Sequence, residues 1–242
     1  MTIDVLFSPV DYPDFVGKTA VIIDVLRAST TITTALDNGA LSVTPVISVD
    51  EALKMRSPDE KVLLCGERGG LKPEGFDLGN SPFEYTADRV AHRNLVFTTT
   101  NGTKALSKAE KAEPVYIGCF RNMPAVTELV LKENRDTILL CAGTDGLFSY
   151  EDAFCAGLMI KELEEKSNSF LSLSDAALFA GNAVLVSGFN KQQSIQSLTN
   201  ILISTLHGRR LSNLGFAGDI EFCAAIGATS TVPRLKAGKL IK

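Results

Sequence analysis

VIIDVLRASTTITTAL, residues 21–36, decides how the rest of the chain reads. A short β-branched run stops at an acid, Asp24, as a buried strand does when it reaches the edge of its sheet. Arg27 follows, and then Ser29, Thr30 and Thr31 open a helical pattern that runs to Asn38-Gly39, a usual helix C-terminus. Strand, polar turn and helix in so few residues are one α/β unit. A carboxylate at the end of a buried strand needs a partner, and the sequence offers either Arg27 or a metal ion. Taken alone, Ser29 or Thr30 reads as the helix N-cap.

The same kind of unit recurs. Further buried-strand runs are expected at 43–48, 61–67, 94–100, 114–119 and 136–143, beside the first at 19–24. NMPAVTELVLKEN and SYEDAFCAGLMIKELEEK, between and after them, carry apolar residues at three- and four-residue spacing. Alternation with short connections predicts an α/β fold over the first 165 residues or so, with a mainly parallel sheet and helices on both faces. The segment 167–200 reads as more weakly patterned helix. From Ser212 a loop and a C-terminal strand, TVPRLKAGKLIK, are expected. Residues 1–242 are read as one domain, with a weak possible boundary in KSNSFLSLSD, residues 166–175.

Composition narrows the function. Apolar residues make up 45% of the 242 and charged residues 21%, which suits an ordinary globular chain with a sizeable core. A net charge of −4 argues against a nucleic-acid surface but leaves room for a local anion site. The five cysteines are odd in number, widely spaced and without a CxxC pair, as expected of reduced cytoplasmic thiols rather than disulfides or a zinc site. Asp4 interrupts the apolar run at the N-terminus, so no signal peptide is read there, and no apolar segment reaches the ~20 residues of a membrane span. The expected setting is cytoplasmic, with no membrane or nucleic-acid partner, and a homo-oligomer.

In open α/β sheets ligands bind beyond the carboxyl ends of the strands. The strand tails here hold Asp24 and Arg27; Glu67 and Arg68 among Gly66, Gly69 and Gly70; Thr100, Asn101, Gly102, Thr103 and Lys104; Arg121; and Gly143, Thr144 and Asp145, followed by Glu151 and Asp152. Carboxylates, guanidinium groups and hydroxyls on one edge suit an anion, and oxygen ligands suit a hard metal such as magnesium. Each piece also has a plainer reading. Glu67-Arg68 makes a surface ion pair, Asn101-Gly102 a turn, and Ser149 with Asp152 a capping box. His92 and His207 stand isolated. FDLGNSP, residues 76–82, reads as a loop over the ligand, with Asn80 and Ser81 either touching an anionic group or capping the next helix. Asp219, before a further expected helix, has the same two readings.

If the anion is a phosphate monoester, several phosphatase signatures are absent. No cysteine is followed six residues on by arginine, and position 26 is Leu26 rather than a second aspartate. His207 lacks a preceding arginine, and two histidines are too few for a His-rich dinuclear centre.

Four segments in order, VIIDVLRASTTITTALDNGA, CGERGGLKPEGFDLGNSPFEY, FTTTNGTKAL and LLCAGTDGLFSYEDAFCAG, resemble the 2-phosphosulfolactate phosphatase family, as does the tail GFAGDIEFCAAIGATSTVPRLKAGKL. The similarity spans nearly the whole chain. It implies a three-layer α/β/α sandwich with a mainly parallel or mixed sheet. It further implies a magnesium-dependent hydrolase that releases phosphate from 2-phospho-3-sulfolactate, a step towards coenzyme M. Such a ligand is a small anionic phosphate ester with about four negative charges. The expected catalytic residues are Asp24, Arg27, Glu67 and Arg68. Substrate contacts are expected from Ser29, Thr30, Asn80, Ser81, Thr100, Asn101, Gly102, Thr103, Arg121, Gly143 and Thr144. Magnesium would draw on Asp24, Glu67, Glu151 and Asp152. The nucleophile stays open between a water, Asp24 itself, and a thiolate of Cys119 or Cys141. Three alternatives also stay open: a phosphatase of another phospho-hydroxy acid, a non-catalytic anion-binding protein, and a lyase or phosphotransferase acting on a phosphorylated hydroxy acid.

Overall fold

Strands and helices alternate through the computed structural model, which describes residues 1–9, 15–56, 62–190 and 195–242. In chain order they are β1 (Thr2–Leu6), β2 (Thr19–Ile23), α1 (Ala28–Asp37), β3 (Ser42–Pro45), α2 (Val49–Lys54), β4 (Val62–Gly66), α3 (Ala87–Val90), β5 (Asn94–Thr98), α4 (Gly102–Lys108), β6 (Val115–Gly118) and α5 (Met123–Glu133). There follow β7 (Thr137–Cys141), α6 (Tyr150–Lys166), β8 (Ser172–Leu173), α7 (Asp175–Val186), α8 (Ile195–Ser204), α9 (Leu206–Asn213), α10 (Ala217–Cys223), β9 (Arg234–Lys236) and β10 (Lys239–Ile241). No helix among the described residues is long and apolar enough to cross a membrane.

The strands form one mixed sheet in the order β4-β5-β3-β10-β9-β6-β2-β7-β1-β8. It consists of two parallel blocks. In one, β5 pairs with β3 and β4; in the other, β2 and β7 lie between β6 and β1, and β8 extends β1. The β9–β10 hairpin joins the blocks through antiparallel pairings on both sides. Three antiparallel steps in succession make the two blocks run in opposite senses.

β2 shows why the sequence puts its acid where it does. All five residues are buried, because both faces of the sheet are covered at this strand. Ala20 and Ile22 face a cluster with Ala28, Ile32 and Leu36 of α1, Ala105 and Leu106 of α4, and Val43, Leu95 and Phe97 from the other block. Val21 and Ile23 face Met123 and Val126 of α5 and Phe154 and Leu158 of α6. Each of the valine, isoleucine, leucine, methionine and phenylalanine side chains contributes about 1.5–3 kcal/mol on burial. The alternation fixes the register, so Asp24 emerges at the sheet edge and nowhere else. With α1 and α4 on one face and α5, α6 and α7 on the other, the architecture is a three-layer α/β sandwich.

Strand expectations were right in place and long by one to three residues; Lys61, the first residue of one, lies outside the described residues. The C-terminal stretch is a hairpin rather than one strand, because Ala237 and Gly238 both take positive φ, 48° and 76°, and reverse the chain. That hairpin makes the sheet mixed. Segment 167–200 contains β8 as well as α7 and the first part of α8, with 191–194 outside the described residues. After Ser212 the further helix expected near Cys223 is α10, which starts two residues before Asp219 rather than after it, and has only seven residues and no side-chain cap.

Candidate active site

The tails of β2, β4, β5 and β7 meet the start of α9 around one cavity of about 80 Å³. Asp24, Arg27, Glu67, Asn80, Thr100, Asn101, Thr144, Asp145, His207 and Arg210 line it. This is small beside the ~300–1,000 Å³ of an ordinary ligand cleft, and suits the head of a small anion. A roomier cleft of about 650 Å³ lies beside the β9–β10 hairpin and includes none of the strand-end acids. The chemistry therefore belongs to the smaller cavity.

Backbone groups set the acids in place. Asp24 Oδ1 accepts from the N–H of Ala28 at 3.2 Å, while its own N–H donates to Ser29 Oγ at 2.9 Å. A Cβ at Gly102 would stand 2.8 Å from Asp24 Oδ2, so this glycine keeps room for the carboxylate. Glu67 ties two loops together, with Oε2 on the Gly70 N–H at 2.7 Å and Oε1 on the Thr100 N–H at 2.8 Å. That reach depends on Gly66, whose φ of +133° and lack of Cβ let β4 close on Thr98; a Cβ there would meet Thr98 O at 1.9 Å. Asp152 accepts from Val25 N–H at 2.8 Å and Gly143 N–H at 3.2 Å. Ser149 occupies the N-cap position of α6 without a side-chain cap bond, so the expected capping box does not form. The acid instead pins the loops after β2 and β7.

Burial raises Asp24 to about 6; Glu67 and Glu151 add to the rise, while His207 and the Ala28 N–H oppose it. Burial, then the charges of Asp24 and Glu151, push Asp152 well above the usual carboxylate range. Glu151 is also buried, yet it is held below its ordinary value by His207, whose Nδ1 lies 3.3 Å from Glu151 Oε1. The same ring nitrogen is 3.5 Å from Thr144 Oγ1.

Arg27 is the buried cation of the site, 2% exposed. Its Nη1 donates to Asp219 Oδ2 at 2.5 Å, its Nη2 donates to Gly70 O at 2.9 Å, and its guanidinium lies 4.2 Å from the centre of the Phe216 ring. Ser81 Oγ donates to the other Asp219 oxygen at 2.9 Å. Position 27 is also the N-cap of α1, without a side-chain cap bond.

The predicted residues divide clearly. Asp24, Arg27, Glu67, Asn80, Thr100, Asn101 and Thr144 share the cavity. Gly102 and Thr103 border Asp24 from α4, together with Ser29. Ser29 Oγ donates to Ile22 O and Thr30 Oγ1 to Val25 O, so these hydroxyls serve the backbone turn. Ser81 reaches the site through Asp219, and Gly143 through Asp152. The structure does not bring Arg68 or Arg121 in. Arg68 donates to Ile47 O, Glu67 O and Thr98 Oγ1, and Arg121 donates to Phe222 O while stacking on the Phe222 ring at 3.8 Å. Burial pushes the thiols of Cys119 and Cys141 up, which disfavours a thiolate at either.

Three participants were not among the expected site residues, although Asp145 stood on an expected strand tail. His207 and Arg210 come from α9, and Asp145, 3.5 Å from Arg210, from the turn after β7. His207 read as isolated in sequence, because its place and that of Arg210 depend on how α9 packs.

A magnesium ion was expected here. Among the described residues, no group of three His, Cys, Asp or Glu side chains stands ready to hold a metal. Magnesium needs only one or two carboxylates and keeps several waters. Glu67 and Asp152 engage each oxygen with a backbone N–H. Asp24 Oδ2 accepts none among the described residues, whereas Glu151 Oε1 faces His207 Nδ1 at 3.3 Å. Asp24 therefore fits such an ion, with Glu151, paired to His207, as a second acid beside it.

Fold and cavity define a class, an α/β protein that gathers acids, arginine and hydroxyls at strand ends around one small cavity. Comparison with known proteins then gives the family. Residues 7–238 match the family model described as 2-phosphosulpholactate phosphatase, and the chain belongs to that family. A "Probable 2-phosphosulfolactate phosphatase" of Thermotoga maritima is 41% identical over 239 residues, covering 99% of this chain and 97% of the relative. Proteins of the same name from Caldanaerobacter subterraneus and Clostridium acetobutylicum are 40% and 38% identical, covering 96% and 100% of this chain and 93% and 100% of theirs.

Proposed function

We propose that this chain is a magnesium-dependent phosphatase that hydrolyses 2-phospho-3-sulfolactate to 3-sulfolactate and phosphate, a step towards coenzyme M. One observation carries the reading. Of the five buried side-chain polar atoms left without a hydrogen-bond partner among the described residues, Asn80 Oδ1 and Thr100 Oγ1 both line this cavity. Buried polar groups are nearly always paired, so two orphaned atoms in one cavity support a polar ligand there.

Magnesium held by Asp24 and Glu151 would act as a Lewis acid on the phosphoryl oxygens. Arg27 has five N–H groups; beyond those on Asp219 and Gly70, others remain for the phosphoryl oxygens. The Thr100 hydroxyl and Asn101 amide add neutral donors. A water oxygen attacks phosphorus, the ester P–O bond breaks, and the water proton passes to the cavity imidazole, His207, which returns it to the leaving alkoxide oxygen. Five free buried thiols support a reducing, cytoplasmic setting.

Two measurements follow. Phosphate release should be fast from 2-phosphosulfolactate, slower from phospholactate, phosphoglycolate and phosphoglycerate, and abolished by EDTA. Release from a different ester alone would move the substrate, and no release from any, with tight sulfolactate binding, would leave an anion-binding protein. His207→Ala should lower kcat by about 10²-fold, the lower range for a group that assists proton transfer, with far-UV circular dichroism unchanged. An unaltered kcat would remove His207 from the chemistry.

A further inference from the structure

α7 is built inside out. Its buried face consists of Ala177, Ala180, Gly181 and Val184, small residues that let it approach α6 closely; a Cβ at Gly157 of α6 would meet Ala180 O at 2.3 Å. Its large side chains point outward, with Leu178 45%, Phe179 62%, Leu185 61% and Val186 88% exposed. Asp175 and Asn182 are the only polar residues of the helix. A helix that is apolar on every side is one that something covers.

We propose that a second copy of this chain covers it, through an antiparallel α7–α7 contact about a twofold axis at Asn182. The spacing supports this occupant over an unrelated partner. Phe179 and Leu185 lie three residues either side of Asn182, and Leu178 and Val186 lie four. The stripe is thus palindromic, so a twofold axis at its centre lays Leu178 and Phe179 of one copy on Leu185 and Val186 of the other. That is the self-complementarity an isologous interface needs. At the axis Asn182 meets its own copy, and an amide both donates and accepts, so the pair is satisfied and fixes the register. No charge lies between Leu178 and Val186, so the copies meet without like-charge repulsion.

The face continues beyond α7. The Phe179 ring lies 5.9 Å from Phe7, and Phe7 lies 5.6 Å from Phe148. Leu147 and Phe148, 71% and 51% exposed, extend it to the turn that carries Thr144 and Asp145. At on the order of 100 Å² each, these six exposed side chains offer ~600 Å² per copy, most of the ~800 Å² per partner that a standard interface buries. Dimerisation would therefore buttress one wall of the cavity.

Sedimentation equilibrium at micromolar concentration tests the proposal. The wild type should be a dimer, and both Phe179→Asp and Val186→Glu should be monomers with unchanged circular dichroism; Val186 is so exposed that its replacement leaves the fold intact. Asn182→Cys should cross-link to a covalent dimer on mild oxidation, since a residue at the axis meets its copy within disulfide reach and the five native cysteines are buried. A monomeric wild type would overturn the proposal and leave α7 to a different protein. An oligomer that survives both charged substitutions, or an Asn182→Cys protein that does not cross-link, would place the interface on another face.

Discussion

Asp24→Asn is expected to give a protein without turnover that is more heat-stable than the wild type when no metal is present. The sign follows from burial. The unfolded carboxyl loses its proton near 3.8 and the folded one near 6. Between those values the folded state binds more protons, so stability falls as pH rises through the window and the loss is complete above it. About two pH units correspond to about 3 kcal/mol. In a chain of this size that is roughly 5–10 °C in Tm. In EDTA the wild-type Tm should therefore fall between pH 4 and pH 7 relative to the variant, whose amide keeps an acceptor for the Ala28 N–H. Magnesium should raise the wild-type Tm at pH 7 and leave that of Asp24→Asn unmoved. Turnover should drop by about 10³-fold or more, as when a preorganised charge is removed from a transition state. If phosphate release survives the substitution, Asp24 has no part in the chemistry. If Tm does not rise, the acid is better solvated than its burial indicates.

Such a residue could be found in sequence because a parallel strand writes its end plainly. Val21-Ile22-Ile23 is apolar on both faces, so the first acid after it falls at the sheet edge. The same logic located Glu67, Thr100 and Thr144. What it could not supply is the direction in which each tail turns. Arg68 is next to Glu67 in sequence, but its guanidinium finds the carbonyl of Ile47 and the hydroxyl of Thr98 on the far side. Arg121 is drawn to the Phe222 ring. Both are long side chains whose place is set by tertiary partners. Asp152 followed a local capping pattern in sequence, yet its carboxylate bonds to Val25, 127 residues away. His207 and Arg210 enter through the packing of α9 on α8 and α10, which no strand pattern records. The alternation of strand and helix was legible for the same reason as Asp24, and the hairpin between the two blocks was not, since three-residue strands carry too little periodicity.

The pair Arg27–Asp219 should show the second large effect, and with the opposite sign on stability. Both groups are buried, and each holds more than the other: Asp219 also accepts from Ser81, and Arg27 also donates to Gly70 O. Removing one partner leaves a charge in the interior with no counter-ion, at a cost of about 3–5 kcal/mol. Asp219→Ala should therefore lower Tm by roughly 10 °C and Arg27→Ala by a similar amount. Replacing both by apolar residues, as Arg27→Met with Asp219→Leu, should recover most of the lost stability, because neither charge is then stranded. Activity should behave differently. Asp219→Asn, which keeps the shape but not the charge, should raise KM for the phosphate ester and weaken inhibition by inorganic phosphate, while the double variant stays inactive however stable it becomes. A double-mutant cycle measured by urea unfolding gives the coupling directly. If the two single substitutions simply add, the pair is not an interacting unit. If the apolar double variant still releases phosphate, Arg27 is a structural cation and the anion is held by Arg210 and the neutral donors of the cavity.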